Sequence, residues 1–273
     1  MLFDSHTHIN NEDFDDESRA QLISEIEDSA VAYAVDIGFD IASSQLAVQH
    51  AQTYDWCYAA VGVHPHDAED MTDDDLMTLK ELLKQPKVVA LGEIGLDYFR
   101  DISPRDIQQK RFVQQLNVAY EAGVPVTIHD RDSHGDMMEI LKSSGAFSEA
   151  RIKTFASRPG EFSKDAGILL HCYSGSAEQA RQYIKLGATL SIAGPVTYKN
   201  NHKTAAVVRE IPLEYLLIET DAPYLTPEPY RGKPNKSPYA EYTARKIAEI
   251  KGISYEEVAA QTLANAKRYF RID

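Results

Sequence analysis

Cysteine is nearly absent, with only Cys57 and Cys172 among 273 residues. Two thiols cannot make the disulfide framework of a small secreted domain, so the fold must rest on its apolar core, and both are expected to be free and buried, without a catalytic role. Long hydrophobic runs are missing too. No stretch approaches the ~18 apolar residues of a membrane helix, and no basic segment followed by an apolar one opens the chain. The expectation is a cytoplasmic protein without a membrane partner. Cations are in deficit, with Lys and Arg numbering 28 against 42 Asp and Glu, for a formal net charge of −14. That balance opposes nonspecific adhesion to nucleic acid, which is dominated by cations that neutralise phosphates. A phosphate-rich substrate therefore needs a local basic patch or bound metal.

The composition, 43% hydrophobic and 26% charged, is that of a globular chain able to bury a full core. Eight short apolar runs alternate with amphipathic stretches: "LFDSHTHI", "AVAYAVDIGF", "CYAAVGVHP", "VVALGEIGLD", "VPVTIHD", "GILLHCYSG", "ATLSIAGP" and "LLIETDAP". Apolar strands alternating with covering helices indicate a parallel sheet, and eight such pairs indicate an α/β fold of the (β/α)8 or TIM-barrel type. The expectation is one barrel domain over residues 1–273. In "SPRDIQQKRFVQQLNVAYEAG", Ser103 reads as an N-cap, Pro104 as the first helical residue and Gly123 as the stop. The acidic runs "NEDFDDE" and "DAEDMTDDD" read as helix starts and loops. Residues 145–167 lack apolar periodicity and carry Arg151, Lys153, Arg158 and Lys164. They are expected to form an inserted basic loop over the barrel rim that guides a strand or narrows the mouth.

In such barrels the active site forms at the carboxyl ends of the strands. His6 and His8 end the first run, His64 and His66 the third, Glu93 the fourth, His129 the fifth, His171 the sixth and Asp221 the eighth. Two histidines at i and i+2 of a strand share a face. Six of eight runs thus finish in a residue able to ligate a transition metal, an alignment that scattered core histidines would not produce. The donors exceed the needs of one tetrahedral ion, which indicates two divalent ions with a carboxylate such as Glu93 between them. Asp221 is suited to orient a water and accept its proton.

The segments "FDSHTH", "GVHPH", "GEIGLDY", "TIHDRD", "HCYSG", "IETDAPYLTP", "RGKPN" and "NAKRYF" occur in that order and at barrel spacing. With them the chain resembles the TatD-type metal-dependent deoxyribonucleases, a family of amidohydrolase-like barrels. The resemblance implies that His6, His8, Glu93 and Asp221 hold one divalent ion and that Glu93, His129 and His171 hold the second. Glu93 and Asp221 then act in catalysis, and the ions are Zn, Mn, Mg, Co or Fe. Related amidohydrolases bridge with a carbamylated lysine at this strand end, where "GEIGLD" offers a carboxylate. Residues 145–167 depart from the family pattern by their length.

His64 is assigned either to a substrate contact or to stiffening its loop. Tyr98, Arg131, Tyr173, Lys199, Arg231 and Lys233 are expected near the mouth as phosphate contacts, with Lys236 adding to a basic patch in "TPEPYRGKPNKSP". The function so implied is trimming of single-stranded DNA by a monomer. Two alternatives stand beside it. The same chemistry can attack an amide or ester of a small metabolite or an aminoacyl ester, and a barrel that binds metal without catalysis could serve as a scaffold.

Overall fold

The computed structural model describes residues 1–273. Eight strands run β1 Leu2–Thr7, β2 Val31–Ile37, β3 Cys57–Val61, β4 Val88–Asp97, β5 Val126–Arg131, β6 Ile168–Leu170, β7 Ala188–Ile192 and β8 Leu216–Ile218. Ten helices run α1 Asp16–Glu27, α2 Ile41–Thr53, α3 Asp73–Leu82, α4 Arg105–Ala122, α5 His134–Ser143, α6 Glu149–Ile152, α7 Ala177–Leu186, α8 His202–Glu210, α9 Ala240–Lys251 and α10 Tyr255–Phe270. All strand pairs are parallel and the order in the sheet follows the order in the chain. The sheet curls into a nearly closed (β/α)8 barrel. No helix is long and apolar enough to cross a membrane.

The seam between β1 and β8 is closed by few but specific contacts. Asp221 N donates to His6 O at 2.9 Å and His8 N to Ala222 O at 2.8 Å. Below them the buried Asp4 carboxylate accepts from Thr220 N at 2.9 Å and Thr220 Oγ1 at 2.6 Å. These bonds fix the register in which His6, His8 and Asp221 meet.

The floor of the barrel is plugged by the end of the chain. Tyr269 and Phe270 of α10 pack with Phe3, Val35, Ala90 and Leu217 in one buried cluster, and Tyr269 Oη donates to Val126 O at 2.8 Å. Parallel strands buried on both faces need such continuous apolar runs.

Acidic helix starts are found where the sequence suggests them: Asp15 caps α1 ahead of Asp16 and Glu17, and Thr72 caps α3 ahead of Asp73, Asp74 and Asp75. The start of α4 differs. Pro104 occupies the cap position and the helix begins at Arg105, with no side-chain cap. The Ser103 hydroxyl is engaged elsewhere, donating to His66 O at 2.8 Å and accepting from Glu69 N at 3.1 Å. Gly123 does end the helix, in the left-handed conformation at φ 67°.

The expected place of residues 145–167 is overturned. The segment joins α5 to β6, contains the single turn α6, and lies where strands begin, at the face opposite the histidines. Arg158 is 2% exposed and Arg151 5%. The Arg158 guanidinium donates to Phe162 O at 2.9 Å, Ile184 O at 2.6 Å and Ala188 O at 2.5 Å. Arg151 donates to Ala166 O at 3.0 Å and Val124 O at 2.5 Å. Burial pushes both guanidinium pKa values down to about 10, still well above neutrality. These cations bind carbonyls at the strand and helix ends, and neither reaches the mouth.

Candidate metal centre

Glu93 sits where β4 is pressed against β5. A Cβ on Gly92 would lie 2.5 Å from Thr127 O, and one on Gly95 2.0 Å from His129 O. Both backbones have φ near +150°, which side chains rarely allow. The two glycines of "GEIG" therefore let β4 approach β5 closely enough to set Glu93 beside His129.

Around Glu93 the strand ends bring two donor groups together. On one side, His6 Nε2 lies 3.2 Å from His8 Nε2, 3.4 Å from Glu93 Oε2 and 3.6 Å from Asp221 Oδ1. His8 Nε2 is 3.6 Å from each of the same two oxygens. Ligands ~2.1 Å from a tetrahedral ion are separated by about 3.4 Å, and these five spacings lie near that value, with His6, His8 and Glu93 the trio mutually close enough to share an ion. On the other side, Glu93 Oε1 is 2.8 Å from His129 Nδ1 and 2.7 Å from His171 Nε2, and those two nitrogens are 3.3 Å apart. His64 Nε2 lies 3.5 Å from Glu93 Oε1 and groups with Glu93 and His129 as a further candidate donor. This is closer to the centre than a loop-stiffening role requires.

Charge in the cluster is balanced internally. Burial alone would raise Glu93, but His171, His64 and His6 hold its carboxyl well below the usual range. Asp221 likewise lies low, because the nearby imidazoles of His8, His6 and His171 outweigh its burial. Burial pushes His64 down to about 4 and also lowers His6, whereas for His171 the Glu93 and Glu219 carboxylates overcome burial and raise it. Imidazoles and ionised carboxylates crowded this closely are a donor set suited to divalent cations, which bind imidazole in its neutral form.

Two carboxylates absent from the sequence-level list stand behind the imidazoles. Asp97 Oδ2 accepts from His129 Nε2 at 3.2 Å and His66 Nε2 at 2.8 Å. Glu219 Oε1 lies 3.4 Å from His171 Nδ1 and accepts from Cys172 N at 2.6 Å. Carboxylates in this position fix imidazole orientation. The one local signal is at Asp97, four residues beyond Glu93 and so on the same face of β4; Glu219 follows the end of β8 and carries none.

A cavity of about 240 Å³ opens beside the cluster, lined by His129, Arg131, His171, Cys172, Asn201 and Asp221 among others. A second, of about 440 Å³, is lined by Tyr198, Lys199, Asn200, Asn201, Glu228 and Arg231. Asn201 belongs to both. Arg131, Lys199 and Arg231 are thus placed at the mouth, and Lys233 is exposed nearby in the same loop as Arg231.

The remaining expected contacts have their polar groups engaged within the protein. Tyr98 Oη donates to Asp136 Oδ2 at 2.8 Å and accepts from Gln109 Nε2 at 2.7 Å. Tyr173 lines the first cavity but is 5% exposed, its hydroxyl donating to Ser176 O at 3.0 Å. Lys236 pairs with Glu25 at 2.5 Å. Both cysteines are free, and burial pushes their thiols well above the ordinary range.

The family model of TatD-related DNases matches residues 3–271. The chain belongs to the TatD-related DNase family. It is 45% identical over 273 residues, all of both chains, to a Bacillus subtilis protein described as the uncharacterized metal-dependent hydrolase YabD. It is 31% identical over 274 residues, 98% of this chain and 97% of the other, to the 3'-5' ssDNA/RNA exonuclease TatD of Cronobacter sakazakii. The crystal structure of YjjV, a TatD homolog from Escherichia coli K12, superposes with a TM-score of 0.86 at 28% identity, covering 100% of this chain and 98% of that one. In this chain the cluster of candidate donors lies at the carboxyl end of the barrel.

Proposed function

We propose that this TatD-family protein is a metal-dependent phosphodiester hydrolase that shortens single-stranded DNA from its 3′ end, acting as a cytoplasmic monomer. The observation that carries the reading is the two-sided placement of Glu93. Its Oε2 faces His6 at 3.4 Å, and its Oε1 faces His171 at 2.7 Å. His6, His8, Glu93 and Asp221 would hold one divalent ion, and Glu93, His129 and His171 the other, with His64 in reach of the second. When bound, such ions supply Lewis-acid polarisation of a phosphoryl oxygen and acidify the attacking water.

The chain's own residues do the rest. Asp221 is the carboxylate of the set that remains open, its side chain 14% exposed against 5% for Glu93 and 1% for Asp97. It borders the cavity, so it is placed to accept a proton from water. Arg131 at the cavity wall supplies a planar cation for phosphate oxygens, and Lys199 and Arg231 extend the positive lining past Asn201. Local cations of this kind answer the repulsion of an acidic chain, and they favour phosphate over an uncharged amide or ester. The name of the Cronobacter relative supports the 3′-to-5′ direction and the single-stranded substrate.

The test is cleavage of a 5′-labelled single-stranded oligonucleotide by metal-stripped protein resupplied with Mg or Mn. A ladder of shortened 5′-labelled products is expected, with the rate falling about 10²- to 10⁴-fold in Asp221→Asn. A strand left intact by protein that holds its metal would overturn the reading.

A further inference from the structure

The turn after β4 carries a phenylalanine that the fold leaves in solvent. Phe99 is 59% exposed, although burying such a ring stabilises a protein. The ring is on a tightly held turn all the same. Phe99 N and Arg100 N both donate to Asp97 Oδ1, at 3.0 and 2.8 Å. The second oxygen of that carboxylate accepts from His129, whose other nitrogen faces Glu93. Tyr98 N donates to Arg131 O at 2.9 Å, tying the turn to β5. Above the ring lies the Arg131 guanidinium, 4.2 Å from the centroid, and Arg131 also lines the cavity with His129, His171 and Asp221. An exposed aromatic ring is therefore stacked with a planar cation that lines the cavity, and its turn is connected to the centre through one carboxylate.

We propose that Phe99, together with Arg131, is the stacking platform for a base of the substrate strand next to the cleaved phosphate. The assignment rests on the phosphodiester reading above and deepens it. Every base has a π-face, so a phenyl platform accepts any sequence, and the neighbouring guanidinium adds a cation–π contact. A base can reach the platform only when unstacked and unpaired, and extruding one from a duplex costs a few kcal/mol. Phe99 thereby sets a preference for single strands without any hydrogen bond to a base edge.

The test crosses substrate with variant. Wild type, Phe99→Ala and Phe99→Trp are assayed with Mn on a single-stranded oligonucleotide and on one of equal length whose 3′-terminal residues are tetrahydrofuran abasic analogues. Wild type is expected to show a KM about tenfold higher on the abasic strand. In Phe99→Ala the KM on the base-bearing strand rises about tenfold and the difference between substrates disappears, while Phe99→Trp restores it. Because Phe99 is exposed, the variants are expected to fold. Equal KM values of wild type on the two cleaved strands overturn the platform alone. Failure to cleave either strand overturns the phosphodiester reading and the platform with it.

Discussion

Asp97 accepts a hydrogen bond from His129 at 3.2 Å while the opposite nitrogen of the same imidazole lies 2.8 Å from Glu93. A carboxylate–imidazole–carboxylate line of this kind fixes both the orientation and the tautomer of the middle ring. Burial would raise the Asp97 carboxyl, but bonds from His129, His66 and Arg100 hold it far below its usual range, so it is ionised throughout the working pH range.

The first prediction follows from that line. Asp97→Asn keeps the shape but removes the charge and turns an amide toward an imidazole. Metal affinity is expected to fall about 10- to 100-fold, measured by competition with a chromophoric chelator. An unchanged affinity would reduce Asp97 to a support for the turn at 99–100.

A second prediction concerns the buried cations of the barrel floor. Replacing Arg158 with Met removes the donors to Phe162 O, Ile184 O and Ala188 O, leaving Ile184 O only its bond from Gly187 N. A loss of about 3–5 kcal/mol is expected in urea unfolding. Metal affinity should stay within twofold, because the residue lies at the far face. A drop in metal affinity with stability retained would contradict this placement.

The third prediction is a pH dependence outside the metal centre. The bond to Asp130 raises His134 above its ordinary 6.5, outweighing a half-buried position. A raised folded-state value means that the native protein binds the proton more tightly than the unfolded chain does. The stabilisation is complete below 6.5 and is lost as pH rises through the folded value. Wild type is expected to lose its urea-midpoint advantage over His134→Ala as pH rises from about 6 to 8. A constant difference across that range would show that the pair does not couple folding to protons.

The barrel was legible in the sequence because its strands are buried on both faces and so read as apolar runs, and because helix stops such as Gly123 are local. The donor alignment was legible for the same reason: a polar residue ending an apolar run stands out, as His129 and Asp221 do. Asp97 and Glu219 were missed because each acts through an imidazole from another strand or loop, a relation that spacing alone does not rank above a solvated carboxylate. The placement of residues 145–167 was misread because lack of periodicity does not reveal which end of a barrel a connection occupies. Only the partners of Arg151 and Arg158 do. The engagement of the Tyr98 hydroxyl was hidden for a similar reason, since its partner Asp136 comes from the next βα unit.

The seam bonds of Asp221 N to His6 O and His8 N to Ala222 O join residues more than two hundred positions apart in the chain. A growing polypeptide therefore holds His6 and His8 long before Asp221 emerges to join them, and the floor is not sealed until Phe270 follows. A chain interrupted between these points lacks both the full donor cluster and its apolar plug, so assembly of the site is coupled by topology to synthesis of the whole barrel.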